Sequence, residues 1–211
     1  MAALRDMVWE IPTTSMSRPL TSSQERKLVD FLDDQFLELT RGYTKRSQPT
    51  THLPTLSRYL DAARPILSLI LQIPPIDPST SLRTALLLRL TNDTLTSITG
   101  YPALPESLPE VLDWLDDLDQ AWLAVLEAQV WDPIEARGVD LIIDVSEGMK
   151  SSPVSQTELT RLRSLLVGCT ANLEDWLYNH GDEDVESMLE RLGLQAEFDG
   201  LFYRTLDYLG P

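Results

Sequence analysis

Along most of this chain apolar side chains recur at steps of three and four, with polar residues gathered on the opposite side. Leu28, Phe31, Leu32, Phe36 and Leu39 keep that spacing, while Asp30, Asp33, Asp34 and Glu38 fall mostly elsewhere on the circumference. This predicts a helix over about residues 22–41. Ser22 stands three positions before Glu25, the spacing of a capping box. Leu56, Tyr59, Leu60, Ala63, Leu67 and Ile70 predict a second helix over about 54–71, with Pro65 inside it as an expected kink or break. After the breaker "QIPPIDPSTS", Leu86, Leu87, Leu90, Leu95 and Ile98 predict a third helix over about 81–99, with Arg83 and Arg89 on its wet side. "GYPALPESLP" breaks the chain again.

The stretch that follows, "DWLDDLDQAWLAVLEAQVWD", holds three tryptophans and six acidic residues. Leu108, Leu112, Leu115, Trp122, Leu126 and Val130 form its stripe, widened by Val111, Leu118 and Val125. Asp113, Asp116, Asp117, Gln120 and Glu127 recur on the other side. An apolar face this wide suits a helix packed between two neighbours in a bundle. "VDLIIDV" is ambiguous: its β-branched content favours a strand. Ile134, Leu141, Ile142, Val145 and Met149 nonetheless keep helical spacing, and with no strand partner in view the expectation is helix. Ser155 precedes Glu158 by three, a start signal, and Leu162, Leu165, Leu166, Cys169, Leu173, Trp176 and Leu177 make the clearest stripe in the chain. Two short helices close it, over about 183–192 and 195–209, with Gly193 as the cap between them. The sum is an all-α protein: an irregular bundle of about seven or eight helices forming a single domain over 22–211. An extended arm over 1–21 precedes it, with Met7, Val8, Trp9 and Ile11 as its anchor.

Composition narrows the function. With 211 residues the chain can bury a substantial core, and its 43% apolar and 24% charged residues are a globular balance. It has no apolar run long enough to span a membrane and no basic-then-apolar leader. Its single cysteine, Cys169, excludes an intrachain disulfide and points to the nucleus or cytoplasm. The net charge of −16 is unevenly spread: residues 41–89 carry seven basic and two acidic side chains, residues 106–147 one basic and twelve acidic. Such a surface repels phosphate backbones and suits a basic protein partner, and it also serves solubility alone.

Candidate chemistry is sparse. "DDLDQ" resembles the aspartate-rich magnesium motifs of isoprenoid enzymes. Such sites need carboxylates that face a cavity, whereas Asp116 and Asp117 are expected to lie opposite the stripe, in water. "DEDVESMLERLG" begins like a calcium loop but has Ser187 and Gly193 where the loop needs glycine and glutamate. Cys169 sits in a leucine stripe, as a packed thiol would. His52 and His180 lie in expected loops, and no phosphate-binding glycine loop or zinc spacing is present. The expectation is no catalytic, cofactor or metal residues. Trp122 and Trp176 are expected in the core with Leu115, Leu166 and Leu173. Trp114 and Trp131 lie nearer stripe edges. With Trp9 and the carboxylates of Asp113, Asp116 and Asp117 they form the candidate partner-binding set.

The stretches "VWEIPTTSMSRPLTSSQERKLVDFLD", "LQIPPIDPSTSLRTALLLRLT" and "WLDDLDQAWLAVLEAQVWDP" resemble a poorly characterised family of short filamentous-fungal proteins. Some of its members are labelled meiotic recombination proteins. The resemblance spans most of the chain and brings no catalytic motif. It implies a eukaryotic, nuclear or cytosolic, non-enzymatic factor. The expected function is therefore an interaction subunit or adaptor, the alternative an acidic chaperone-like binder of basic proteins, and an enzyme the third reading.

Overall fold

The computed structural model describes residues 18–141, 150–178 and 185–210. Among them are eight α-helices and one two-stranded hairpin: α1 (Ser22–Thr44), α2 (Leu56–Leu71), α3 (Ser79–Ile98), α4 (Leu108–Leu126), β1 (Val130–Asp132), β2 (Arg137–Val139), α5 (Gln156–Tyr178), α6 (Val185–Leu192), α7 (Gln195–Asp199) and α8 (Tyr203–Leu209). The all-α reading holds. Residues 1–17 of the N-terminal arm, with Trp9, residues 142–149 from "VDLIIDV" onward, and His180 lie outside the described residues.

Local chemistry explains where the helices start and stop. The capping box of α1 sits one residue earlier than its Ser–Glu spacing suggested. The Thr21 hydroxyl accepts from the Gln24 N–H, and the Gln24 side chain accepts from the Thr21 N–H. At α5 the expected box is present, with Ser155 and Glu158 bonded to each other's backbone N–H. Pro65 does not split α2. It lies on the exposed side, so the carbonyl it leaves without an N–H partner, that of Asp61, is on a face open to water. Gly193 takes φ +72° between α6 and α7. The last predicted helix is two: Phe202, in left-handed conformation at φ 55°, separates α7 from α8.

Over residues 134–139 the expected helical spacing gives way to a hairpin, and residues 142–149 lie outside the described residues. Val130 pairs with Val139, Trp131 with Gly138 and Asp132 with Arg137, antiparallel. Val139, where "VDLIIDV" begins, thus has its strand partner nine residues upstream, across one turn. The Asp132 carboxylate accepts from the N–H groups of Ile134 and Glu135, and Ala136 adopts φ 49°. Ile134, assigned to a helical stripe, is 88% exposed at the turn. Gly138 is required there: a Cβ would meet the Gln129 side chain and the Cβ of Ala124 in α4.

The core is one contiguous cluster centred on α2, α3 and α4. Leu115, Trp122 and Leu166 are fully buried, and Cys169 and Leu173 nearly so, as their stripes predict. The Trp122 indole N–H donates to the Thr91 hydroxyl at 2.9 Å, and that hydroxyl donates to the Leu87 carbonyl. The indole thus buries its ring without stranding its donor. At one end of the bundle, Tyr43, Tyr59 and Tyr101 pack with ring centroids 5.8 to 6.0 Å apart, with the Arg46 guanidinium 4.3 Å from the Tyr43 centroid.

Candidate functional site

The acidic motif of α4 is mostly fastened to its own chain. Asp113 is exposed. Asp116 accepts from Arg204 at 2.6 Å, and Asp117 from Arg64 of α2 at 2.5 Å. Asp117 is therefore not on an open water face, as expected, but half-buried. Desolvation holds its carboxyl above the usual range, against the pull of Arg64. Asp119, which is not part of the polar face that the spacing outlines, is 1% exposed. One of its carboxylate oxygens accepts from the Thr205 N–H at 2.9 Å. The other accepts from the Arg204 N–H and side chain at 3.2 Å. The Thr205 hydroxyl adds a bond to the Asp119 carbonyl. Asp119 thus caps the first turn of α8 from a different helix, where backbone N–H groups have no intrahelical partner. A signal was present: Asp119 lies four after Leu115 and three before Trp122, on the core stripe itself.

Arg83 repeats the lesson with the opposite charge. Expected on the wet side of α3, it is 1% exposed, because its position three before Leu86 and four before Leu87 also points inward. Its Nη1 donates to the Gln129 carbonyl at 2.7 Å, while Nε and Nη2 have no hydrogen-bond partner. Burial lowers its pKa to about 10.

The tryptophans divide differently from expectation. Trp114, placed near a stripe edge by its spacing, is fully buried, and its indole N–H has no partner. Trp131 is 8% exposed and packs into the core from the hairpin. The structure brings Asp116, Asp117 and Trp114 together on α4 and sets Trp131 apart. Among the described residues no three His, Cys, Asp or Glu side chains group closely enough to hold a metal ion.

A cavity of about 560 Å³ opens between α3 and α5. Asn92, Leu95, Thr96 and Thr99 line it from α3, one turn to the next. From α5 come Ser164, Leu165, Gly168, Cys169, Asn172, Asp175 and Trp176. Its walls are hydroxyls and amides over an apolar floor, with one carboxylate. The Trp176 indole N–H is engaged by the Tyr101 carbonyl at 2.7 Å, so the ring is held as a fixed wall. Cys169 shows only 4% of its surface, and burial pushes its thiol up to about 12. A thiol so held is not a nucleophile at neutral pH. Gly168 shapes the cleft: it sits inside α5, and a Cβ there would meet nothing within 4 Å. Glycine in a helix interior costs roughly 0.5–1 kcal/mol relative to alanine, and here no packing contact requires it. The cleft can hold a ligand by shape and neutral hydrogen bonds. In the sequence the only hint of it is that mid-helix glycine.

No protein-family model matches this chain, and no solved structure does. Over 105 residues the chain is 33% identical to an uncharacterised protein of the fission yeast Schizosaccharomyces pombe. The match covers 49% of this chain and 64% of that relative, so the chain spans a little under two-thirds of the relative's length. The similarity supports a fungal and poorly characterised relationship, and it carries no recombination label.

Proposed function

We propose that this protein is a non-enzymatic interaction subunit of the nucleus or cytoplasm. In this reading its α3–α5 cleft receives an amphipathic segment of a protein partner with basic flanking residues. The observation that carries the reading is the cleft itself, an open groove between two helices with a notch at Gly168 and neutral hydrogen-bonding walls. Grooves of this kind take apolar anchors spaced along a helix. Glu174 and Asp175 are exposed at one end of the groove, and the net charge is −16. Both favour a basic segment, chiefly by speeding encounter and selecting orientation.

The test is selection of binding peptides from a displayed random library against the wild-type protein, followed by titration of the enriched peptides. Amphipathic, basic sequences are expected. Their affinity should fall at least tenfold for Gly168→Trp, a variant that fills the notch, with the melting temperature unchanged. Enrichment of peptides indifferent to Gly168→Trp would remove the cleft from the proposal. The charge distribution supports a second reading, an acidic chaperone-like binder of basic proteins. Salt separates the two: between roughly 0.1 and 0.5 M, binding that depends on charge alone is lost as screening grows, whereas binding in an apolar groove persists. An enzyme remains the third reading.

A further inference from the structure

Just before α5, residues 151–155 run exposed or half-buried and form neither helix nor strand. Within this leader Ser152 is exposed and precedes Pro153, and Ser152–Pro153 is the one step in the chain where proline follows serine or threonine. Pro153 disfavours helical backbone at Ser152 and keeps the hydroxyl on an extended stretch. That hydroxyl has a specific partner. It donates to Asp77 Oδ2 at 2.5 Å, while the Ser152 N–H donates to Oδ1 at 3.2 Å. The Thr80 hydroxyl, in the first turn of α3, donates to the same carboxylate, and the Asp77 N–H donates to the Lys150 carbonyl at 2.9 Å. These four bonds tie the leader of α5 to the start of α3. The Ser152 hydroxyl, first among several donors, holds the Asp77 carboxyl below its usual range, so it is ionised at neutral pH.

We propose that Ser152 is a phosphorylation site for a proline-directed protein kinase, and that its phosphate unfastens the α5 leader from α3. In the transfer, Ser152 Oγ bonds to the γ-phosphorus of MgATP. The bond from that phosphorus to the bridging oxygen breaks, ADP leaves with the electron pair, and the hydroxyl proton passes to the kinase's catalytic base. The product can no longer donate from Oγ. It carries about −1.5 to −2 charges and stands beside the ionised Asp77, with Lys150 the neighbouring cation. A bond becomes a repulsion at the point where the leader is held. Ser151 and Ser155 serve as internal controls: neither precedes proline, and the Ser155 hydroxyl is engaged by Glu158.

The experiment treats the full chain with a purified proline-directed kinase and MgATP, maps the phosphate by mass spectrometry, and follows amide hydrogen exchange. One phosphate on Ser152 is expected. Exchange over 150–156 and at the Asp77 amide should speed at least tenfold, with α4 and α8 unchanged. Ser152→Ala should take up no phosphate. In Asp77→Asn the repulsion is gone, so phosphorylation should add little to the exchange of that variant alone. The proposal is overturned if Ser152 stays unmodified while a peptide of residues 147–158 is fully phosphorylated under the same conditions. It is equally overturned if the phosphate leaves exchange unchanged.

Discussion

The aspartate face of α4 and the cleft between α3 and α5 form an instructive contrast. The first is the most conspicuous charge pattern in the chain, and three of its four carboxylates are occupied by arginines or backbone N–H groups of the same molecule. The second has an ordinary sequence, two helices with leucine stripes, yet it leaves an open volume between them. A cluster of like charge in a folded chain is costly unless opposite charge is brought to it, so such clusters attract internal partners. A gap needs no conspicuous residue, only a missing side chain where two helices diverge.

Four variants probe that contrast, from the largest expected effect to the smallest. Trp122→Ala strikes the seam both regions share, since Trp122 on α4 bonds Thr91 on α3. It should cost about 3–5 kcal/mol in denaturant unfolding. A loss under about 1 kcal/mol would mean that the α3–α4 seam does not hold the two regions together. Asp119→Ala strikes the acidic face alone. It strands two α8 N–H groups and should cost about 2–3 kcal/mol. Peptide binding in the cleft should stay within twofold of wild type, and a parallel loss there would merge the two regions into one cooperative unit.

Asp116→Asn with Asp117→Asn removes two half-exposed ion pairs and some carboxylate repulsion, for a net cost of about 1 kcal/mol or less. Calorimetry should show no magnesium or calcium affinity lost. A tight metal site that vanishes in the double variant would turn the acidic face from a fastening into a functional site. Gly168→Ala should stabilise the protein by about 0.5–1 kcal/mol, since its Cβ meets nothing and helix propensity improves. A destabilised variant would show that the notch is a packing requirement and not open space.

Acid–base behaviour adds a check on the cleft floor. The Cys169 thiol has its pKa raised by burial from 9.0 to about 12, so the unfolded chain ionises first as pH rises. Between these values stability should fall with pH relative to Cys169→Ala, and below pH 9 the thiol contributes no slope.

Side-chain spacing by itself determined the helical class, the positions of most helices and much of the core. Burying a stripe of leucines is a local periodicity problem, and Leu115, Trp122, Leu166 and Leu173 solve it in any bundle. Gly193 and the Ser155–Glu158 box were legible for the same reason: caps act within one turn. Tertiary structure decided what depends on partners distant in sequence. Spacing places Asp119 and Arg83 on inward faces, though charge argues Arg83 outward and leaves Asp119 out of the polar face. Only α8, docking 85 residues later, supplied the N–H groups that let Asp119 be buried. The hairpin was missed because β1 and β2 are three residues each, too short to show a period, and their stability comes from pairing with each other and packing on α4. Apart from the mid-helix Gly168 the cleft was not legible: an absence of atoms between α3 and α5 is set by how two helices pack in space, and no spacing within either helix records that geometry.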